Sequence, residues 1–537
     1  MKTSFRHMMI AFYAGAIVVV LTMSTIAVLL QRQESRRAAV PRAPSELTSG
    51  KSAALRSAVP SGAAVALFAV SPQAAFDAWA TCSKRLFGED AATSWLASNF
   101  GEGARLGELL ERYAISADAP MAILLELAPE RRQFQSTFAA VFQCSNSAQF
   151  IRTAWPLDSS APSPPRLIAE RNGYSLALHG SLSCASWPGW IAVSDSTDFA
   201  SAVAESFVDS DLVLEQKALD GNTAVAFLYP ERVRSVWKPL TAWLRVAMPS
   251  FGPRMAHACD LLEPALAGPG PVVIRTSISE DGLVAHATWL QADLPGLTAM
   301  LEEPQRDSAG ISHPSADAIA AGTVSLSGAL GAAFKSQLQH LAESTHDADA
   351  IEGVARIAAA MKTSFSFEVG PSGEEKSRIR FAWSTSDDDA TEDALESLLP
   401  AVEGANSTMG DGIAVHAARV VHPLYFAVHG GNAVAASDVN DVRDFFASGE
   451  QPDTRGKGTA RLLLQLRGAH MAHSLEQSNT YPSLDTHAWW YTILTNSSTA
   501  EVSWNVSDSV ESLSLHLEFS TPSPNVQEGA VAPAAGQ

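Results

Sequence analysis

Apolar and polar residues alternate along many short stretches of this chain, and tight turns or amphipathic stretches separate one run from the next. Residues 62–70, 121–128 and 138–144 are examples, and a period of two is typical of strands that bury one face. The runs do not alternate regularly with helices, which argues against a parallel, doubly wound sheet. The pattern predicts an α+β fold built from mainly antiparallel sheets.

The same order of predicted strands and helices occurs twice between residues 60 and 520. The blocks that resemble one another are 62–76 and 320–334, 187–203 and 429–446, and 274–289 and 502–519. This alignment places Glu126 opposite Glu368 and His286 opposite His516. Chance matches would not keep the order of the blocks. We therefore predict two similar domains, residues 60–292 and 318–520, with a short helix and linker at 293–317.

The segment Met8–Leu30 contains no charged side chain. About 20 apolar residues cross a bilayer as a helix, whereas a cleaved signal peptide has an apolar core of only ~7–15 residues. The length favours an anchor at residues 1–30, followed by a linker at 31–59, with a disordered tail at 521–537. The predicted fold class is thus α+β, with an N-terminal transmembrane helix followed by two similar domains, each a mainly antiparallel sheet covered by helices.

The net charge of the chain mainly limits which partners it can bind. The chain of 537 residues has a net charge of −20, although bases outnumber acids near its amino terminus. An acidic body repels the phosphate backbone, which excludes DNA and RNA as partners. A basic start before a long apolar run is typical of a signal anchor. We predict a single-pass protein of the cell inner membrane with a periplasmic body, although the positive-inside count alone slightly favours a cytoplasmic body.

The four cysteines do not form a metal or redox motif. None of them has C-x-x-C spacing, and four cysteines permit three fully paired connectivities. Buried free thiols and disulfides both remain open interpretations. The cysteines are Cys82, Cys144, Cys184 and Cys259.

Two similar Ser-Asp segments are the most tempting candidates for chemistry. In Ser194–Asp198 and Ser437–Asp441, two carboxylates lie three residues apart and could share one helix face. A capped helix start also requires a short polar side chain after a strand, with an acid in the first turn. We favour capping over catalysis.

The remaining motifs also favour structural interpretations. Two histidines at 470 and 473 lack the glutamate of a zincin helix, and His416, His422 and His429 do not predict convergence on one metal ion. Residues 456–459 lack Walker spacing, and residues 180–184 fail the nucleophile-elbow pattern. Trp187 and Trp190 flank a turn and are more typical of a stapled hairpin than of a sugar-binding platform. We predict no catalytic, cofactor-binding or metal-binding residue, and no cofactor.

The anchor, the strands that open each copy at Ala63 and Thr323, and the Ser-Asp blocks together resemble bacterial single-anchored envelope proteins with a duplicated α+β body. This resemblance implies an envelope location. Together with the linker at 31–59 and the two similar domains, the resemblance suggests a non-enzymatic role in which the protein binds or organises a protein or an envelope component. One alternative is a hydrolase acting on envelope polymers or lipids, with its site between the two copies. The other is a carrier that holds a lipid or similar ligand.

Overall fold

The structure is a computed structural model. It describes most of residues 55–520, and its larger gaps fall within 155–165, 211–220, 235–269, 291–317, 326–347, 399–406, 448–458 and 468–494. The predicted anchor, most of the linker at 31–59, the segment 293–317 and the tail at 521–537 therefore lie outside the described residues.

Twenty strands and eight helices make up the described fold. The first ten strands are β1 Ala63–Ala69, β2 Met121–Glu130, β3 Gln133–Gln143, β4 Arg166–Arg171, β5 Tyr174–His179, β6 Leu182–Trp187, β7 Trp190–Ser194, β8 Ala224–Leu228, β9 Val272–Ile278 and β10 Gly282–Leu290. The second ten are β11 Ala320–Ser325, β12 Met361–Ser372, β13 Ser377–Thr385, β14 Ser407–Thr408, β15 Ala414–Arg419, β16 Pro423–His429, β17 Asn432–Ala436, β18 Thr459–Leu466, β19 Ser497–Ser507 and β20 Val510–Phe519. The helices are α1 Pro72–Phe87, α2 Ala91–Phe100, α3 Leu106–Arg112, α4 Ser147–Ala154, α5 Thr197–Asp209, α6 Ala348–Ala360, α7 Asp388–Leu398 and α8 Val439–Ala447.

The strands form two large antiparallel sheets that join edge to edge. The first sheet has the order β4-β5-β6-β7-β3-β2-β1-β8-β9-β10. The second has the order β20-β19-β18-β11-β12-β13-β17-β16-β15-β14. Strand β10 pairs with β20 over nine residue pairs and joins the two. Each strand of the first sheet thus has a counterpart ten strands later.

The joining strands are related by a local pseudo-two-fold. His286 and His516 are equivalent in the sequence alignment, and in the structure they pair with Ser514 and Val284, respectively. The same offset makes Ala285 equivalent to Leu515, and these two residues lie directly opposite each other. The axis therefore passes through this pair, so the two sheets meet through the same edge.

The predicted fold class is wrong as stated. Among the described residues no helix is long and apolar enough to cross a membrane. The longest of them, α1, has 16 residues, fewer than the ~20 that a span requires. The structure therefore does not support the predicted N-terminal transmembrane helix and single-pass anchor. Met8–Leu30 itself lies outside the described residues. Instead of two separate domains, the chain forms two sheets that share one hydrogen-bonded edge. The domain boundaries 60–292 and 318–520 stay predictions.

Directly paired residues point to the same side of a sheet, so the register identifies two faces. We call face A the side that carries Phe68 in the first sheet and Ala382 in the second. Helix α5 packs on face A in a core with Phe68, and α8 packs there in a core with Ala382. Helices α1–α4 pack on the opposite face, face B, of the first sheet, and α6 and α7 pack on face B of the second. Each sheet is thus covered on both faces away from the junction.

Candidate binding site at the sheet junction

One row of directly paired residues crosses face A from one core to the other. Its outer members are small or apolar side chains that belong to the cores under α5 and α8. Its central members are polar, apart from Leu463. In order, the row is Val434, Ala382, Ser366, Thr323, Leu463, Ser503, Ser514, His286, Arg275, Val225, Phe68, Ala122, Val141 and Ala192. Face A therefore changes from hydrocarbon to polar chemistry at the junction.

We call the part of face A at the junction, which is polar apart from Val284, the junction face. It consists of Arg275, Ser277, Val284, His286, Glu501, Ser503, Ser514 and His516. On face B the same strands carry Leu283, Ala285, Ala287 and Trp289, which belong to or pack against apolar clusters. This alternation of apolar and mainly polar positions is why the sequence forms strands here, since an antiparallel sheet can bury one face more deeply than the other.

The junction face is open at its centre. Val284 is 42 % exposed, and His516 is exposed on the strand beside it. Helix α5 contacts β3, β5, β6 and β7, and α8 contacts β16 and β17, so both helices lie several strands away from the junction. Among the described residues, this polar floor is therefore accessible at Val284 and His516, between two helix-covered regions.

Two hydrogen-bond contacts organise the side chains on this floor. His286 Nδ1 lies 2.7 Å from Ser514 Oγ across the joining strands. Arg275 Nη1 donates to Thr288 Oγ1 at 3.4 Å. Imidazole, hydroxyl and guanidinium groups are thus presented together at known positions on rigid strands, which suits recognition of a polar molecule.

A cavity of about 370 Å³ opens at one end of the junction face. Its size falls in the ~300–1,000 Å³ range of small-molecule sites. Strands β9, β10, β19 and β20 form most of its wall, and the last turn of α1 adds Arg85. The lining residues are Arg85, Ser277, Ser279, Glu280, Asp281, Gly282, Val284, Ser498, His516, Glu518, Phe519 and Ser520.

The histidine–serine pair has one feature of nucleophilic catalysis. A hydrogen bond of 2.7 Å lets an imidazole take a proton from a hydroxyl group. Acyl transfer also needs donors for an oxyanion. Strand β20 is paired on both sides, with β19 and β10, so its backbone N–H groups are engaged in the sheet. The geometry favours binding over acyl transfer.

The Ser-Asp segments of the first sheet have structural contacts. Ser196 Oγ accepts from Phe199 N at 3.2 Å and caps α5, while Asp198 lies in its first turn. Asp195 Oδ1 accepts from the backbone N–H of Phe138 at 3.0 Å.

In the second sheet Ser437 Oγ accepts from Ile379 N at 2.9 Å, and Asp438 Oδ1 accepts from Asn440 N at 2.8 Å. Asp441 accepts from Arg378 Nε at 2.9 Å. These contacts tie the start of α8 to strand β13 and match the capping interpretation.

The register also shifts the alignment of these segments by one residue. Ser194 pairs with Ala139, and Ala436 pairs with Arg380 at the corresponding place. Asp195 therefore occupies the place of Ser437 rather than that of Asp438. Asp195 accepts from the backbone N–H of Phe138, and Ser437 accepts from that of Ile379 at the corresponding place on the neighbouring strand. Either residue type can therefore serve at this position.

The candidate histidines do not come together. His416 Nε2 lies 2.6 Å from Glu392 Oε1, and its Nδ1 lies 3.0 Å from Glu396 Oε1. His429 packs against Phe446 instead, while His422, His470 and His473 lie outside the described residues. Within the described part of the chain no group of three metal-binding side chains converges.

Three of the four cysteines are described, and they are free thiols. Burial raises the pKa of the Cys82 thiol to about 11, and it raises the pKa of Cys144 and of Cys184 as well. A raised pKa keeps a thiol protonated and unreactive, so these side chains act as small apolar groups. Cys259 lies outside the described residues.

Trp187 pairs directly with Trp190 across the β6–β7 turn, and its ring packs 5.9 Å from that of Phe207 in α5. The two tryptophans therefore staple the hairpin onto the core. Residues 456–458 and 180–181 lie outside the described part.

Sequence reasoning missed the junction face itself. It aligned His286 with His516 but assigned neither a role, and it did not single out Arg275 or Ser514. The signal that could have found them is the alternation in 272–289 and 499–516, where Arg275, His286 and His516 share the polar positions with serine and threonine.

No family model matches the chain, and no curated protein matches it. The chain is similar to solved structures of TP0453 in crystal forms III, IV and I, with identities of 14 %, 12 % and 13 % and TM-scores of 0.26, 0.25 and 0.22. The matches cover 41 %, 39 % and 43 % of this chain and 83 %, 81 % and 76 % of the TP0453 chains. Similarity at this level carries no argument about fold or activity, so the envelope resemblance stays a prediction.

Proposed function

We propose that this protein has a non-enzymatic binding role and that its ligand contacts the junction face. One observation carries the proposal: face A is apolar core on both sides of the junction but polar at the junction itself, where Val284 and His516 are exposed. Burial would favour a continuous apolar face, so the polar interruption calls for another explanation. The cavity of about 370 Å³ at its end gives the ligand a concave place to bind.

The test is a ligand screen that uses Val284→Trp as a blocking variant. Val284 lies at the open centre of the face, so an indole there covers the floor while pointing toward solvent. Thermal unfolding of the full chain is measured with a panel of cationic, anionic and neutral polar compounds. We expect at least one compound to raise the Tm of the wild type and to lose that effect in Val284→Trp.

The matched control is Ser94→Trp, at an exposed position on α2, which packs on face B rather than on the junction face. The control variant should keep the ligand-induced rise in Tm. A compound that stabilises Val284→Trp as well as the wild type places the site elsewhere. If no compound of any charge class stabilises the wild type, the binding role is rejected.

A second candidate is a hydrolase, favoured by the hydrogen-bonded His286 and Ser514. Ester, peptide and glycoside substrates would report turnover. Activity that disappears in Ser514→Ala and persists in Ser277→Ala, on the same face, would assign the reaction to this pair. Activity that survives Ser514→Ala would remove this candidate.

A further inference from the structure

The cavity at the end of the junction face has an excess of negative charge. Three carboxylates line it, from Glu280, Asp281 and Glu518, against the single guanidinium of Arg85. Glu280 and Asp281 lie in the turn between β9 and β10, whereas Glu518 lies on β20. The acids therefore come from two elements that belong to different sheets, and they line one cavity because β10 pairs with β20.

Contacts from both sheets hold the Glu518 carboxylate and the turn that carries Asp281. Glu518 Oε2 accepts from Thr499 Oγ1 at 2.7 Å, which orients this carboxylate along β19. The backbone of Asp281 accepts from Phe519 N at 2.8 Å, which fixes the turn against the end of β20. Preorganised acceptors need little rearrangement when a donor arrives.

The cavity also offers apolar surface beside its acids. Val284 is the large apolar side chain that the described residues expose most clearly, at 42 %, and Phe519 adds a buried aromatic ring to the lining. Serine hydroxyl groups at positions 277, 279 and 498 complete the lining. An aliphatic chain that ends in a cationic donor would match both the apolar surface and the acidic rim.

We propose that this cavity binds an alkylammonium group, carried by a free polyamine or by a lysine side chain of a peptide. This inference rests on the proposed binding function and names its ligand class. The net charge of −20 attracts cations over longer distances and disfavours anionic ligands. A metal ion is a poorer match, because no three metal-binding side chains of the described chain converge.

Calorimetric titration of the full chain with spermidine tests the proposal. We expect saturable one-site binding that weakens with added salt. The double variant Asp281→Asn/Glu518→Gln should weaken binding by about tenfold or more, since two charges close to the ammonium group are lost. Both residues are exposed and both replacements are isosteric, so an unchanged Tm verifies that the variant folds.

The matched control is Glu102→Gln/Glu108→Gln, which removes the same charge at exposed positions in and near α3. It should change the affinity for spermidine by less than about twofold, because screened charges far from the site contribute little. A peptide with one lysine, titrated in parallel, distinguishes a lysine side chain from a free polyamine as the source of the ammonium group.

Two results would overturn the alkylammonium assignment. One is equal weakening by both double variants, which would mean diffuse attraction to the acidic surface. The other is the absence of saturable binding for both spermidine and the peptide. If a neutral or anionic compound then raises the Tm of the wild type but not that of Val284→Trp, the binding role stands and only the ligand class is wrong.

Discussion

The two sheets share one strand order, yet they use different chemistry at corresponding places. The β6–β7 and β16–β17 turns fix the correspondence, since Gly189 and Gly431 have φ values of 77° and 78°. Counting along the register from these turns, Leu124 pairs with Ala139 in the first sheet where Glu368 pairs with Arg380 in the second. A hydrocarbon contact is thus replaced by an ion pair with a 2.6 Å contact.

Two further places show the same change. Phe199 is buried on α5 of the first sheet, and the corresponding residue of α8 is Asp441, which pairs with Arg378. The paired residues Ala177 and Cys184 correspond to His416 and Phe426, whose rings stack at 5.0 Å.

This difference shows how one backbone can be stabilised in two ways. Apolar contacts gain from burial whatever their exact partner. A buried ion pair gains little over an apolar pair, but removing one member is costly because the other charge stays buried. The first sheet should therefore lose stability when a single change leaves a cavity, whereas the second should be sensitive to single changes of charge and tolerant of paired ones.

Glu368→Leu is expected to have the largest effect. The Glu368 side chain is 1 % exposed and that of Arg380 is 9 % exposed, so the variant leaves a guanidinium in the core. Breaking a buried pair costs about 3–5 kcal/mol. Urea unfolding of the full chain, followed by circular dichroism, measures the loss in the free energy of unfolding.

The double variant Glu368→Leu/Arg380→Ala installs the contact of the first sheet in the second. It should recover most of the loss and lie within about 2 kcal/mol of the wild type, because an apolar pair replaces both charges together. A double variant as unstable as Glu368→Leu alone would mean that the two places are not interchangeable.

Sequence patterns were sufficient for the strands and for the antiparallel order, because alternation and turn residues act locally. They were insufficient for register. The alignment set Glu126 opposite Glu368, whereas the structure places Leu124 there, two residues away. A slip of two residues keeps every side chain on its own face, so periodicity cannot detect it.

The candidate site was beyond sequence reasoning for a similar reason. Arg275, His286 and Ser514 lie on three strands, and their proximity depends on β10 pairing with β20 across more than 200 residues of chain. Helix capping by Ser196, in contrast, depends on neighbours in sequence and could be predicted.

Asp441→Ala should have an intermediate effect. The Asp441 side chain is 5 % exposed, but that of Arg378 is 36 % exposed and can be rehydrated when its partner is lost. We expect a loss of about 1.5–3 kcal/mol in the free energy of unfolding, the range for hydrogen bonds to charged groups. Phe199→Ala, at the corresponding place in the first sheet, should cost more, about 3–5 kcal/mol, since it leaves a cavity. Equal losses would contradict the distinction between the sheets.

His416→Phe should have a smaller effect. Glu392 and Glu396 are 32 % and 53 % exposed, so water screens their attraction to the imidazole. Partly exposed ion pairs contribute about 0–1 kcal/mol, and a phenyl ring keeps the stacking on Phe426. Urea unfolding should place this variant within about 1 kcal/mol of the wild type. A loss above about 3 kcal/mol would show that the contacts behave as a buried pair.

Thiol labelling should show the smallest change in the folded protein, and it reports whether the sheets unfold together. The described cysteines lie in the first sheet and its helices, and burial raises the pKa of Cys82 to about 11. Below that pKa the thiol stays protonated, so iodoacetamide at pH 8 should label Cys82, Cys144 and Cys184 slowly in the folded protein and rapidly in urea. Since β10 and β20 share nine residue pairs, Glu368→Leu in the second sheet should also speed labelling in the first. Labelling rates unchanged by Glu368→Leu, with a lower free energy of unfolding, would mean that the second sheet opens while the first stays folded, and that the junction is a boundary between two cooperative units.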